Sequence, residues 1–133
     1  MDFTLYLPLT SLAAIINGAL LVFMTSGIAL FRRRHNISYG DNGHGQFAKR
    51  IRGHMNGVEQ IPIALILMAL AEIQGATTGL LAVVLVCLSV GRLFHAIQFW
   101  AAKGPFLLRP IGVILTLLAQ IIAIVWLAGN VVY

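Results

Sequence analysis

Charged residues are scarce in this sequence, and acidic residues are the scarcest of them. Only 10% of the 133 residues are charged, and Asp and Glu together number four. A soluble domain usually has about 25% charged residues, so this composition excludes an ordinary water-soluble fold. The hydrophobic share of 59% and the mean hydropathy of +0.92 are typical instead of a protein that lies within a membrane.

The sequence also has few residues for disulfide or metal chemistry. Its single cysteine, Cys87, excludes a disulfide within the chain and leaves the redox compartment open. Cys87 lies inside an apolar run, where a thiol forms little thiolate, so we expect it to be a packing residue. No metal site is predicted, because no two of the four histidines have a metal-ligand spacing on one helix.

Long apolar runs occupy most of the chain. A membrane-spanning helix needs about 20 mostly apolar residues, and three runs meet this length directly. The second run meets it when its helix extends back through the segment 52–59. We therefore predict an all-α integral membrane protein, a four-transmembrane-helix bundle that forms a single domain over residues 1–133. The predicted helices cover approximately residues 7–34, 46–73, 76–101 and 107–132.

The N-terminus and the basic residues together predict the topology. The chain begins Met-Asp without a basic segment, and its first apolar run is longer than that of a signal peptide, so this helix should remain in the mature protein. The first inter-helix segment has six Lys and Arg residues, and Lys103 and Arg109 flank the third connection, whereas the second connection has none. By the positive-inside rule, the first and third loops are cytoplasmic and both termini face the opposite side. This distribution explains the net charge of +5 without a nucleic-acid partner.

Polar residues at helical spacing mark the start of the second apolar run. Arg52, Asn56 and Glu59 recur at i, i+4 and i+7, so they share one face of a helix. A carboxylate inside a membrane is energetically costly and indicates a functional site by default. On the residues alone, Glu59 could equally pair with Arg52 or Arg92 to fix helix packing. The other carboxylate in an apolar run, Glu72, is expected at the far membrane surface, in contact with water.

The third and fourth helices bring further polar groups to the same level. Arg92, His95 and Phe99 share one face, and Arg109 opens the fourth helix. Three helices thus contribute arginines around a single embedded carboxylate, and this excess of positive charge predicts an anionic ligand.

Small and uncharged polar residues in mid-span predict contacts between helices. Asn17 and Gln120 are expected to form interhelical hydrogen bonds. Ala14 and Gly18 have the spacing that allows two helices to approach closely.

These elements resemble the MAPEG family, the membrane-associated proteins in eicosanoid and glutathione metabolism, which include microsomal glutathione transferases. The family signature Arg-x-x-x-Asn-x-x-Glu-(Tyr)-x-Pro is matched by residues 52–62, and its third-helix element Arg-Leu-x-Tyr/His by residues 92–95. Arg109 stands at the family's basic position before the fourth helix. The loop Tyr39-Gly-Asp-Asn-Gly is similar to that of small bacterial members, which implies a bacterial inner membrane.

The resemblance implies a homotrimer that binds glutathione between neighbouring subunits at the cytoplasmic side. Arginine forks would hold the two carboxylates of glutathione, and Glu59 would accept its ammonium. Arg109, or secondarily Arg92, would stabilise the thiolate that attacks a hydrophobic electrophile or a lipid hydroperoxide. The residues implied to bind glutathione are Arg52, Asn56, Glu59, Gln60, Arg92 and His95.

The sequence departs from the family pattern at three positions and leaves two other functions open. Gln60 stands where many members have a tyrosine, and His95 and Phe99 replace tyrosines of the third helix. A non-catalytic lipid-binding or accessory membrane protein of the same fold is one alternative. A small transporter or channel subunit is the other, and it would need a polar stripe across the whole membrane.

Overall fold

The computed structural model describes residues 6–131, which form four long α-helices. All four are long and apolar enough to cross a membrane, which confirms the all-α membrane bundle. Each described helix end lies within two residues of the predicted position. The end predicted at 132 and the N-terminal residues used in the signal-peptide argument lie outside the described residues. The helices are α1 (Pro8–His35), α2 (Gly45–Ile73), α3 (Thr78–Trp100) and α4 (Leu108–Val131).

Local sequence explains where the helices begin and end. Pro8 lies in the first turn of α1, where a helix needs no backbone N–H from it. Asn36 ends α1 in the left-handed conformation, with φ of 53°. Gly75, with φ of 85°, turns the chain between α2 and α3. Thr77 then begins α3, because its hydroxyl accepts a hydrogen bond from the N–H of Leu80.

Helices α2 and α3 form the centre of the bundle. Within residues 6–131, α1 and α4 each contact both central helices and do not contact each other. The buried core along these contacts is built mainly of small and flexible apolar side chains, including Ala64, Met68, Leu88 and Ala119. Many large apolar side chains instead point outward, as expected for a surface that faces lipid rather than water.

The most extensive helix contact is a close crossing of α3 and α4 at two glycines. A Cβ atom built on Gly112 would lie 2.6 Å from the carbonyl oxygen of Gly91, and one built on Gly91 would lie 2.9 Å from that of Gly112. The two backbones can touch only because neither residue has a side chain. At Gly18, an added Cβ would have no atom within 4 Å among the described residues. The close approach predicted there is therefore absent among the described residues.

The substitution Gly112→Ala is expected to lower the thermal midpoint of the detergent-solubilised protein. The new methyl group meets backbone atoms, so α3 and α4 must separate, at a cost of about 1–3 kcal/mol. The matched control is Gly129→Ala, in the same helix, where nothing lies within 4 Å of the added Cβ. Alanine forms helices better than glycine, so the control should keep or slightly raise the midpoint. Equal midpoints for the two variants would contradict the close crossing.

Two polar pairs link the helices in mid-span. The Asn17 amide donates to the Ser89 hydroxyl at 3.1 Å, which joins α1 to α3. The Gln120 amide donates to the side-chain oxygen of Gln60 at 3.1 Å, which joins α4 to α2. Both residues thus make the interhelical hydrogen bonds that their positions predicted.

Glu72 fixes the start of α1 to the end of α2. Its two carboxylate oxygens accept hydrogen bonds from the backbone N–H groups of Leu9, at 3.1 Å, and Thr10, at 2.8 Å. The first N–H groups of a helix have no partner within that helix, and a carboxylate also suits the positive end of the helix dipole. Glu72, which was expected at the far membrane surface in contact with water, is half-buried there because its side chain caps another helix.

Candidate ligand-binding site

A cavity of about 440 Å³ lies between α2, α3 and α4, near the end of the bundle that carries the α1–α2 and α3–α4 connections. We call this end the basic end. The cavity brings together five of the seven predicted site residues and adds three apolar ones. Its lining residues are Ile51, Arg52, Met55, Asn56, Glu59, His95, Phe99 and Arg109.

Helix α2 supplies three polar groups to the cavity from one face. Arg52 and Glu59 are exposed and Asn56 is half-buried, as the spacing i, i+4, i+7 predicted. A neighbouring face of the helix is buried at Gly53 and Gly57.

The two buried glycines let α2 lie close against its neighbours. A Cβ on Gly53 would lie 2.6 Å from the Cβ of Phe99, and one on Gly57 would lie 3.1 Å from the side chain of Leu21. Sequence reasoning missed the role of these glycines, although their i, i+4 spacing stood inside the predicted motif.

Arg92 lies behind the cavity wall and holds two of its side chains in place. Its guanidinium is buried and donates to the Asn56 side-chain oxygen at 3.0 Å and to Nδ1 of His95 at 3.2 Å. A guanidinium can only donate, so Nδ1 of His95 is the acceptor and the ring proton is on Nε2. Arg92 does not line the cavity. Arg92 orients Asn56 so that the side-chain oxygen faces Arg92 and the amide nitrogen can donate to a ligand. It orients His95 so that the Nε2–H group can also donate.

Arg109 reaches the cavity from the first turn of α4. Its guanidinium carbon lies 5.5 Å from the centroid of the Phe99 ring, within the range of a cation–π interaction. The Phe99 ring in turn packs against the His95 ring, with centroids 4.6 Å apart. Phe99 has no hydroxyl group to offer a ligand, but its face supports the arginine at the cavity.

Gln60 is directed away from the cavity. Its side-chain oxygen accepts the hydrogen bond from Gln120, and it lines a separate cavity of about 100 Å³. Arg92 and Thr116 also line this smaller cavity. A direct contact between Gln60 and a ligand in the larger cavity remains a prediction.

The lining charges favour a specific kind of ligand. The larger cavity has two guanidinium groups and one carboxylate, together with an amide and an imidazole. Such a set suits an anionic ligand that also carries one cationic group. Among residues 6–131, no group of three or more His, Cys, Asp or Glu side chains is placed to hold a metal ion.

Comparison with known proteins adds independent information. The model of the MAPEG family matches residues 10–129. The inner membrane protein YecN of Escherichia coli K12 is 34% identical to this chain over 90 residues, which are 68% of this chain and 69% of YecN. The protein of the same name from Escherichia coli O6:H1 gives the same values. No solved structure matches this chain.

Proposed function

The chain belongs to the MAPEG family, and on that premise we propose that it binds glutathione within the membrane and transfers it to hydrophobic electrophiles or uses it to reduce lipid hydroperoxides. The observation that supports this most is the 440 Å³ cavity, with its two guanidinium groups and one carboxylate. Glutathione has two carboxylates and one ammonium group, so its charges are opposite in sign to those of the lining.

Each lining side chain has a role that its chemistry permits. Arg52 binds one of the carboxylates, because a guanidinium holds a carboxylate through two parallel hydrogen bonds. Glu59 accepts the ammonium. Asn56, whose oxygen is occupied by Arg92, donates its amide N–H to the peptide. His95 donates its Nε2–H at a position where a tyrosine of other family members would donate a hydroxyl.

The reaction requires the glutathione thiol to lose its proton. A thiol with an ordinary pKa of ~8.5 is only a few per cent thiolate at neutral pH, and an adjacent cation increases that fraction. In this proposal, the Arg109 guanidinium stabilises the thiolate, and the proton goes to water. The sulfur then attacks the electrophilic carbon, and the leaving group departs with the bonding electrons. Arg92 acts indirectly, since it positions Asn56 and His95.

The assembly and location are part of the same proposal. Arg52 and Glu59 are exposed at the cavity, which leaves room for a neighbouring subunit to complete the binding site in a homotrimer. The relative in Escherichia coli is an inner membrane protein, which supports a bacterial inner membrane here. With the basic connections in the cytoplasm, glutathione enters from that side, and the hydrophobic substrate enters through the bilayer.

Alanine at Arg52 or Glu59 is expected to weaken glutathione binding about tenfold or more, because each change removes a charge-assisted hydrogen bond. Isothermal titration of glutathione into the detergent-purified protein measures this. Arg33→Ala is the matched control, since Arg33 is exposed at the end of α1 and does not line the cavity. If neither cavity variant differs from the control, the site is wrongly assigned.

Two measurements on the wild-type protein distinguish an enzyme from a non-catalytic binder. Addition of glutathione should produce the ultraviolet absorption of a thiolate, and a chloronitrobenzene should be conjugated. Binding without thiolate absorption or turnover would favour a non-catalytic member of the family. The contact of Gln60 with Gln120, away from the cavity, is the observation that supports a non-catalytic binding protein as the second candidate.

A transporter or channel subunit has less support. In such a protein, a polar path for the ion or solute would have to continue past the cavity to the opposite end of the bundle. The mid-span residues Asn17 and Gln120 are instead bonded to side chains of other helices. Ion flux in liposomes tests this alternative.

A further inference from the structure

A second groove lies on the outer surface of the bundle, between α1 and α3. It has a volume of about 350 Å³ and is apolar along its length, with Phe23, Leu93, Ile97 and Trp100 among its lining residues. Phe23 is 60% exposed, Leu93 48% and Ile97 40%. These residues belong to membrane-spanning helices, so the groove faces the hydrocarbon of the bilayer. An acyl chain is the ligand that such a surface accommodates.

The groove ends at the basic end of the bundle, where α2 supplies two polar side chains. Trp100 is the last residue of α3, and Ala101 follows it at the end of the groove. Gln46 donates to the carbonyl oxygen of Ala101 at 3.3 Å, and Arg50 to that of Trp100 at 3.5 Å. The Arg50 guanidinium also lies 5.5 Å from the centroid of the Trp100 ring. Arg50 does not line the groove itself, but it holds a cation against Trp100, the last helical residue that does.

The hydrogen bonds of Arg50 within the protein do not use its full capacity. A guanidinium has five N–H donors. The bond to Trp100, at the long limit for a hydrogen bond, is the one that Arg50 makes through its side chain within the described residues. Capping the last carbonyls of α3 would explain the bond alone. It does not explain the apolar groove whose last residues, Trp100 and Ala101, lie beside this arginine.

We propose that this groove binds one anionic glycerophospholipid. One acyl chain lies along α1 and α3, and the phosphate accepts hydrogen bonds from Arg50. A guanidinium binds a phosphate better than an ammonium group does, because the planar fork of the guanidinium matches two phosphate oxygens. Other basic residues at this end, including Arg33, Arg34 and Lys103, raise the local concentration of anionic lipid. The site is separate from the glutathione cavity and does not depend on the proposed reaction.

The two tryptophans of the chain allow a direct test. In the variant Trp126→Phe, Trp100 is the remaining tryptophan. The variant is reconstituted in vesicles with phosphatidylglycerol or phosphatidylcholine, each brominated on its acyl chains so that it quenches nearby tryptophan fluorescence. Brominated phosphatidylglycerol should quench Trp100 at about fivefold lower mole fraction than brominated phosphatidylcholine, given a typical contribution for one arginine near a membrane surface. Adding Arg50→Gln should remove most of that difference.

Two matched controls make the result specific. Arg33→Gln removes an exposed basic residue of the same end and should keep the preference for phosphatidylglycerol. The reciprocal variant, Trp100→Phe, retains Trp126 in α4, which both lipids should quench equally. Equal quenching of Trp100 by both lipids would overturn the proposal. Equal loss of preference in Arg33→Gln and Arg50→Gln would also overturn it, as a general charge effect. If neither lipid quenches Trp100, the proposal is also overturned, because protein, such as a second copy of the chain, then covers the groove.

Discussion

Replacing Arg109 by glutamine is expected to lower the rate of glutathione conjugation at neutral pH about 10²-fold, the usual effect of losing one group that stabilises developing charge. Arg109 lines the cavity and is supported there by the ring of Phe99. Without the positive charge of Arg109, the bound thiol should ionise as it does in water. The rate of the variant should therefore rise about tenfold for each pH unit until the thiol reaches its ordinary range near ~8.5. The wild-type rate should change much less over the same range.

The pH profile of kcat, measured with saturating glutathione and a chloronitrobenzene, separates activation from binding. Arg109→Lys is the matched control, because it retains a positive charge without the planar fork. It should keep most of the activity at neutral pH while raising KM for glutathione. If Arg109→Gln loses activity equally at every pH, Arg109 does not activate the thiol, and its role is to orient glutathione.

Replacing Arg92 by methionine should weaken glutathione binding while leaving the stability of the protein unchanged or slightly higher. Arg92 is 3% exposed, and its direct partners are the neutral side chains of Asn56 and His95. Removing a buried charge and filling its place with an apolar side chain is often neutral or stabilising. The two cavity residues, however, lose the donor that orients them. We expect glutathione affinity to fall about 10–100-fold, as expected from losing two charge-assisted hydrogen bonds in the wall of the site.

Isothermal titration and thermal unfolding of the same purified sample test this pair of effects. Arg33→Met provides the control for loss of one arginine at an exposed position, where stability should change by less than about 0.5 kcal/mol. A lower thermal midpoint together with normal affinity would show that Arg92 stabilises the bundle and does not position the site.

The sequence predicts the helices and one wall of the site because both depend on local periodicity. Four apolar runs of sufficient length define the spans, and a spacing of i, i+4, i+7 places Arg52, Asn56 and Glu59 on one face. Neither inference requires knowledge of how the helices pack. The family resemblance rests on the same local patterns and requires no information about how the helices pack.

The contacts between helices could not be predicted in the same way. Arg92 binds Asn56 instead of lining the cavity, and Gln60 binds Gln120. Both outcomes depend on the rotation of α2 and α3 about their axes, which the close packing of Gly53 on Phe99 determines. The i, i+4 spacing of Gly53 and Gly57 is visible in the sequence, but it does not predict which helix packs against them. Glu72 is similar, since capping α1 requires that α1 begin where α2 ends.

The cap that Glu72 provides has a consequence for the response of the protein to bilayer thickness. The last four residues of helix α1 are Arg32–His35, so its apolar part is about 36 Å long, whereas the hydrocarbon of a bilayer is about 30 Å thick. A helix with such an excess length normally adjusts its tilt to the lipid around it. Here one end of α1 is hydrogen-bonded to α2 through Glu72. The depth of this end of α1 is therefore tied to that of α2, and α1 can adjust to the lipid mainly at its other end.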